Sequence, residues 1–466
     1  MVFSSIPFLY YFLPLVLLVY YAVPKAFKNA VLLLSSLVFY AWGEPRYVFL
    51  MMASITASYV TGLVIEKYRG STLAKLFLIV SVGLSLALLG YFKYADFFIA
   101  NFNALTGFSL PFLKLALPIG ISFYTFQLIS YSVDVYRGET PAQKNIINLG
   151  AYVALFPQLI AGPIVRYCDI SRQLTSRTHS FDKAWNGCRS FVTGLAKKVL
   201  IANTLGELCA SYLQSSEPSV AYGWLYAIAY MLQIYFDFSG YSDMAIGLGR
   251  IFGFEFSPNF NYPLISSSIT EFWRRWHISL GTWFRDYVYI PLGGNRVKRG
   301  RLLFNIFTVW FATGFWHGAE WNFVIWGLYF GLLLTLEKFF FTRYLAHHRI
   351  FGRLYVMFLV IISFAIFAAD GFSSALGNLS VMFGTSGQAV FSAEFAYAVR
   401  NYGFVLILAA IGATPLCKKL WLGIRDRANQ SSWLDALEVL ALAFLLIVVS
   451  AYLADGSFNP FLYFRF

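Results

Sequence analysis

The sequence predicts an all-α polytopic membrane protein, and three observations carry that prediction. Hydrophobic residues make up 59% of the 466-residue chain and charged residues only 12%, at a mean hydropathy of +0.64. That is far from the composition of soluble globular domains. Apolar runs long enough to cross about 30 Å of hydrocarbon as helices recur from end to end. The runs are continuous, unlike the weak alternating signal of a transmembrane β-strand, which excludes a barrel.

In chain order the candidate spans are 5–23, 29–42, 47–65, 76–92, 112–136, 199–213, 221–240, 302–316, 321–340, 354–369, 401–417 and 433–453. Several are shorter than the ~17 residues a crossing helix needs. The expectation is therefore about 10–12 transmembrane helices accompanied by re-entrant and interfacial ones, in one domain over 1–466. The opening MVFSSIPFLYYFLPLVLLVYY has no basic n-region and no small-residue cleavage site, so it reads as a retained first span. With both termini extracytoplasmic, only Arg46, Lys93, Lys114, Arg400 and Arg465 lie outside, against about 30 of the 35 Lys and Arg inside. The net charge of +13 then belongs to loops facing anionic lipid and the cytoplasm, and nucleic acid is not an expected partner. The cysteines Cys168, Cys188, Cys209 and Cys417 form no CxxC pair, and neither structural disulfides nor a metal site is expected.

The apolar segment INLGAYVALFPQLIAGPIV (147–165) is flanked on both sides by basic residues that want the same face. Pro157 and the Gly162-Pro163 pair break it where a re-entrant turn would need a break. A span with an amphipathic return helix is the alternative. Residues 166–198 and 250–301 read as cytoplasmic helical segments. In IYFDFSGYSDMAIGLGR, Asp237 and Asp243 lie at the inner end of a span, where an unpaired carboxylate is costly. They either cap or salt-bridge the basic loop, or orient a catalytic histidine or a donor. The run GLGRIFG follows no strand and carries no weight as a nucleotide fingerprint.

The stretch 271–331 is the least easily explained as scaffold. FWRRWHISLGTWFRDY places Phe272, Trp273, Trp276, Leu280, Trp283, Phe284 and Tyr287 on one helical stripe, with Arg274, Arg275 and Arg285 off it, which describes an interfacial amphipathic helix containing His277. LGGNRVKRGR could hold a phosphorylated donor or sit on anionic lipid. From Arg301, the helix 302–316 rises only about 22 Å, too little to cross, so His317 would lie at membrane depth. GAEWN turns the chain back, giving a hairpin whose tip presents His317 and Glu320 within the protein body. A neutral, desolvated imidazole is suited to take a proton from a hydroxyl, and a core histidine bonded to a backbone carbonyl is the structural alternative. Gly314 and Gly318 would let another backbone or a substrate chain approach. The two histidines are expected at different depths of the membrane. Beyond them, 370–400 reads as an extracytoplasmic loop and 454–466 as an aromatic extracytoplasmic tail that anchors in the headgroups or docks a partner.

The motifs FPQLIAGPI, YFDFSGYSDMAIGLGRIFGFEF, FWRRWHISLGTWFRDYVYIPLGGNR and FWHGAEWNFVIWG together resemble the membrane-bound O-acyltransferase family, in its bacterial branch of alginate O-acetyltransferase subunit I. MVFSS, FYAWGEP and NPFLYFRF extend the resemblance over nearly the whole chain, and LGGNR favours polysaccharide O-acetylation over export of D-alanine to teichoic acids. The resemblance implies that His317 is the catalytic histidine and His277 the second characteristic one. It also implies a funnel or tunnel across the membrane, entered by the acyl donor from the cytoplasm. Arg274, Arg275, Trp316, Glu320, Asp237 and Asp243 are the candidate substrate-binding residues around the histidines. The expected activity is O-acetylation of an extracytoplasmic polysaccharide of alginate, cellulose or peptidoglycan type, at the bacterial inner membrane. Acetyl-CoA is the expected donor, no cofactor is bound, and a periplasmic SGNH-hydrolase-type acetyltransferase is the expected partner. The rivals are D-alanyl or other acyl transfer from a carrier protein, and a transporter without acyl chemistry, which the scarcity of charged residues in the other spans and the lack of an internal repeat disfavour.

Overall fold

The computed structural model describes residues 2–160, 162–428 and 431–456, so most of the aromatic tail (457–466) lies outside the described residues. Every regular element among the described residues is helical. Among the described residues, seven helices are long and apolar enough to cross a membrane: Lys25–Gly43, Tyr47–Lys67, Thr72–Thr106, Trp321–His347, Arg349–Phe367, Ala393–Gly412 and Ser432–Ala454, in addition to the shorter apolar Phe8–Ala22. The molecule is a multi-pass membrane protein. The chain divides into two compact units, one of Met1–Phe191 with Met244–Ser257, the other of Val192–Asp243 with Pro258–Phe466.

In the first unit, the helix Ile121–Arg137 is buried along nearly its whole length and packs against Tyr47–Lys67 and Thr72–Leu89. In a membrane, helix association rests on close packing and polar contacts instead of water exclusion, and small residues provide both. Gly62 leaves the space that the Tyr131 ring fills, and the hydroxyls of Ser81 and Ser132 meet at 2.8 Å. The expected span 112–136 starts later than its apolarity suggests. Pro111 and Pro118 forbid a helix before Ile121, and Gly107 and Gly120 take left-handed φ values of 76° and 73° at either end of the irregular stretch. The apolar segment after Asn145 is a nine-residue helix, Ile146–Ala154, about 13 Å long, followed by Phe156–Leu159. Neither can cross a bilayer. The break between them is buried, and the Phe156 N–H donates to Ser36 Oγ at 3.0 Å, so the freed backbone donor is satisfied within the protein.

In the second unit, Arg299–His317 packs against Trp321–Leu336. A Cβ on Gly314 would collide with the Phe323 carbonyl, and one on Gly327 with the Trp310 carbonyl, so the two backbones touch. Gly314 thus admits a neighbouring backbone and Gly318 admits the Phe323 ring, which settles what each glycine accommodates. Arg349–Phe367 closes on this pair, contributing Phe364 and Phe367 to a core with Trp326 and Phe330. The stretch expected as a loop over 370–400 contains the helix Phe372–Met382.

Candidate active site

His317 is the last residue of the helix Arg299–His317 and is 6% exposed. Aromatic rings surround it: Trp316 at 5.0 Å, Trp326 at 5.2 Å and Phe367 at 5.5 Å between ring centres, all nearly edge-on. Such packing fixes a ring by shape. Glu320, expected beside it within the protein body, is instead exposed at the entry to the next helix. The chain reverses after Gly318, and that turn carries the carboxylate to the protein surface.

His277 occupies an irregular position. The expected continuous interfacial helix through His277 is corrected: the chain forms Ile269–Arg275, leaves helical geometry at Trp276 and His277, and resumes as Ile278–Phe284. His277 has φ 45° and ψ 54°, a left-handed conformation that a non-glycine residue adopts only when its surroundings impose it. Its surroundings do so through Asn259. The Ile278 N–H donates to the Asn259 carbonyl at 3.0 Å, and the Asn261 N–H donates to the Arg275 carbonyl at 2.9 Å, so the two stretches bracket the histidine. His277 is 1% exposed, and most of its expected headgroup-facing stripe is core. Phe272, Trp276, Leu280, Trp283 and Phe284 are all buried, and Trp273 packs on Trp310 and Phe330 at 4.6 and 4.8 Å.

The two histidines are brought to one place, on either side of one ring. The Trp316 ring lies 6.1 Å from His277 and 5.0 Å from His317. On its other side His277 meets Phe238 edge-on at 4.6 Å. Burial, reinforced by His317, holds the His277 imidazole well below the usual histidine range, and His277 lies outside the membrane-spanning helices.

A cavity of about 1110 Å³ opens against this region, ample for a ligand with a long arm. Its lining runs from the exposed cations Arg274, Arg285 and Lys338 to buried His277, and includes Thr313. Thr313 lies one turn before His317 on the same helix face, and the lining of that helix stops there, so His317 and Trp316 do not line the cavity. Of the glycine-rich loop, Asn295 reaches the cavity, held by a 2.8 Å bond from Lys338 Nζ. Arg275 faces elsewhere: it pairs with Glu271 at 2.9 Å and donates to the Asn261 carbonyl.

Asp237 and Asp243 act as ion-pair partners. Asp237 meets Lys198 at 2.6 Å with both side chains almost fully buried, and Asp243 meets Lys197 at 2.7 Å. Of the two readings of these carboxylates, the salt bridge to the basic segment is the one observed. Two further polar residues organise the site. Glu337, 2% exposed, accepts from the Ile269 N–H at 2.6 Å and the Thr270 N–H at 2.9 Å, capping the helix that leads to His277. An acidic residue within the apolar run LLLTLEKFFF was a legible signal for it. Asn259, 1% exposed in the run SPNFNYP, had no such signal.

The model of the membrane-bound O-acyltransferase family matches residues 139–381. Over its full length the chain is 41% identical to the probable alginate O-acetylase AlgI of Pseudomonas putida, covering 100% of both chains. It is 33% identical to the peptidoglycan O-acetyltransferase of Helicobacter pylori, covering 100% of this chain and 98% of that one. The teichoic acid D-alanyltransferase of Bacillus subtilis is 31% identical over 48% of this chain and 59% of its own.

Proposed function

Because the chain belongs to the membrane-bound O-acyltransferase family and is an O-acetyltransferase enzyme, we propose that it takes an acetyl group from acetyl-CoA on the cytoplasmic side of a bacterial inner membrane and passes it outward for O-acetylation of a polysaccharide. The observation that carries this reading is the pair of buried histidines sharing the Trp316 ring, of which His277 lines a cation-mouthed cavity. The donor's phosphates meet Arg274, Arg285 and Lys338, and its acyl-bearing arm enters along the face that carries Thr313.

His317 acts as general base. An acceptor hydroxyl oxygen attacks the thioester carbonyl carbon while His317 takes its proton. The tetrahedral adduct collapses with cleavage of the C–S bond, and the proton passes from His317 to the departing thiolate, leaving an ester and a free thiol. The aromatic walls of Trp316, Trp326 and Phe367 exclude water, which would otherwise hydrolyse the thioester. His277 neighbours the reacting groups and orients a substrate group. The acceptor hydroxyl belongs to a periplasmic partner of SGNH-hydrolase type, which completes transfer to the sugar.

The test is transfer of label from acetyl-CoA in membranes containing the full chain, with polymer acetyl content measured alongside. His317→Ala should abolish both while leaving the amount of inserted protein unchanged. Undiminished acetylation in that variant overturns the assignment of the base. Transfer only from an acylated carrier protein, and not from acetyl-CoA, overturns the donor.

A further inference from the structure

We infer that Asn259 is a positioning residue that locks His277 in the tautomer protonated at Nδ1, so that Nε2 serves the reaction as a hydrogen-bond acceptor. The inference rests on the reading of His277 as part of the reaction site, and its chemistry follows from donor and acceptor identities alone.

The side chain of Asn259 has one acceptor oxygen and one donor nitrogen, and the orientation of the amide decides which faces His277. The backbone N–H of Ser279 fixes it, because a peptide N–H can only donate. It lies 3.2 Å from one terminal atom of Asn259, which must therefore be Oδ1. The same atom accepts from Ser279 Oγ at 2.9 Å. The other terminal atom, Nδ2, donates to Ser242 Oγ at 3.1 Å, so both ends of the amide are accounted for. The His277 Nδ1 lies 3.3 Å from that same Oδ1. Two acceptors cannot bond each other, so Nδ1 must carry the proton.

The neutral ring has only one N–H, and burial strongly disfavours the doubly protonated cation. Nε2 is consequently left with its lone pair. It is buried and has no hydrogen-bond partner among the described residues, in a side chain that lines the cavity. A buried acceptor with nothing to accept from costs free energy unless a ligand supplies the donor. His277 therefore takes a hydrogen bond from an N–H or O–H of a bound substrate. It does not donate to the thioester oxygen, as the opposite tautomer would. The strained backbone at His277 fits the same device, since Asn259 grips the residue by its carbonyl and its side chain together.

The 466-residue chain contains five histidines, few enough for ring resonances to be assigned by difference in ¹⁵N-histidine-labelled protein in bilayers. The resonances lost in His277→Ala should be one protonated Nδ1 and one unprotonated Nε2. A protonated Nε2 with a bare Nδ1 overturns the inference without reference to activity. In the transfer assay, Asn259→Leu should lower kcat roughly ten- to hundredfold, as loss of an orienting partner does. Asn259→Asp keeps the acceptor and should restore most of the rate. Its carboxylate stabilises the imidazolium, so the neutral form is lost at a higher pH and the acid limb of the rate profile moves up. A purely structural role would make Asp as harmful as Leu and leave the limb in place, which overturns the inference. The Asp variant decides alone if the Leu variant does not fold. Wild-type behaviour of Asn259→Leu beside an inactive His277→Ala also overturns it while sparing the role of His277. An active His277→Ala overturns that role first, and the inference with it.

Discussion

His277 and His317 flank the same Trp316 ring in different local settings. His317 ends a long helix, and its ring is fixed by the shapes of Trp316, Trp326 and Phe367, with the backbone contact at Gly314 and Gly327 setting the helix pair behind it. His277 sits at a break in a helix, and hydrogen bonds from a stretch 18 residues earlier fix its backbone and its proton. Packing constrains where a ring lies but is indifferent to which nitrogen carries the hydrogen. A hydrogen bond constrains both. At His277 the bond to Asn259 Oδ1 therefore identifies the nitrogen that carries the proton.

The contrast can be broken most severely at the buried ion pair next to the His277 side of the site. Asp237 precedes Phe238, whose ring packs on His277, and its carboxylate neutralises Lys198 inside the protein. Asp237→Ala removes the carboxylate that faces this buried charge, and the expected loss of stability is about 3–5 kcal/mol. Replacing both residues by apolar ones of similar size should recover most of it. Thermal unfolding in detergent measures both. A single variant as stable as the parent would mean that the pair does not support this side of the site.

The packing side is probed at the glycines. Gly327→Ala inserts a methyl group where the Trp310 carbonyl already lies, so the helix pair must separate, at a cost of about 1–3 kcal/mol. Displacement of His317 from its aromatic walls should lower kcat with little change in donor KM, because the cavity's cations lie elsewhere. A change confined to KM would show that the helix contact serves the donor instead of the base.

The same contrast explains what was legible in the sequence. The helix pair around His317 could be read from apolarity and length, because both are local properties of the chain. The expected shortness of 302–316 does not hold, because the helix starts three residues earlier and includes His317, 19 residues in all. The break at His277 was invisible. FWRRWHISLGTWFRDY has a helical stripe and no glycine or proline at position 277, so local propensity favours an unbroken helix. Asn259 overrides it from a distance, through bonds that no periodicity encodes. Placing the stripe in the headgroup layer failed for a related reason, since an aromatic face suits a core as well as an interface.

Glu337 joins the two regions, because it belongs to the long span Trp321–His347 and caps the short helix that leads to His277. Glu337→Gln keeps one acceptor oxygen but removes the charge that favours a helix N-terminus. About 1 kcal/mol of stability should be lost, read as a lowered unfolding midpoint. The donor KM should rise as well, since Ser268, Thr270 and Arg274 of that segment line the cavity.

The smallest effect is expected at Ser279, and its size discriminates between two accounts of Asn259. Ser279→Ala removes the 2.9 Å hydroxyl bond to Asn259 Oδ1, worth about 0.5–1.5 kcal/mol. It leaves the backbone N–H that fixes the amide, because a side-chain substitution does not alter a peptide donor. The tautomer of His277 should be unchanged, and with it the pH profile. Stability alone should fall. If the profile moves in Ser279→Ala as it does in Asn259→Asp, the hydroxyl and not the peptide orients Asn259, and the proton on His277 is less firmly held than the geometry implies.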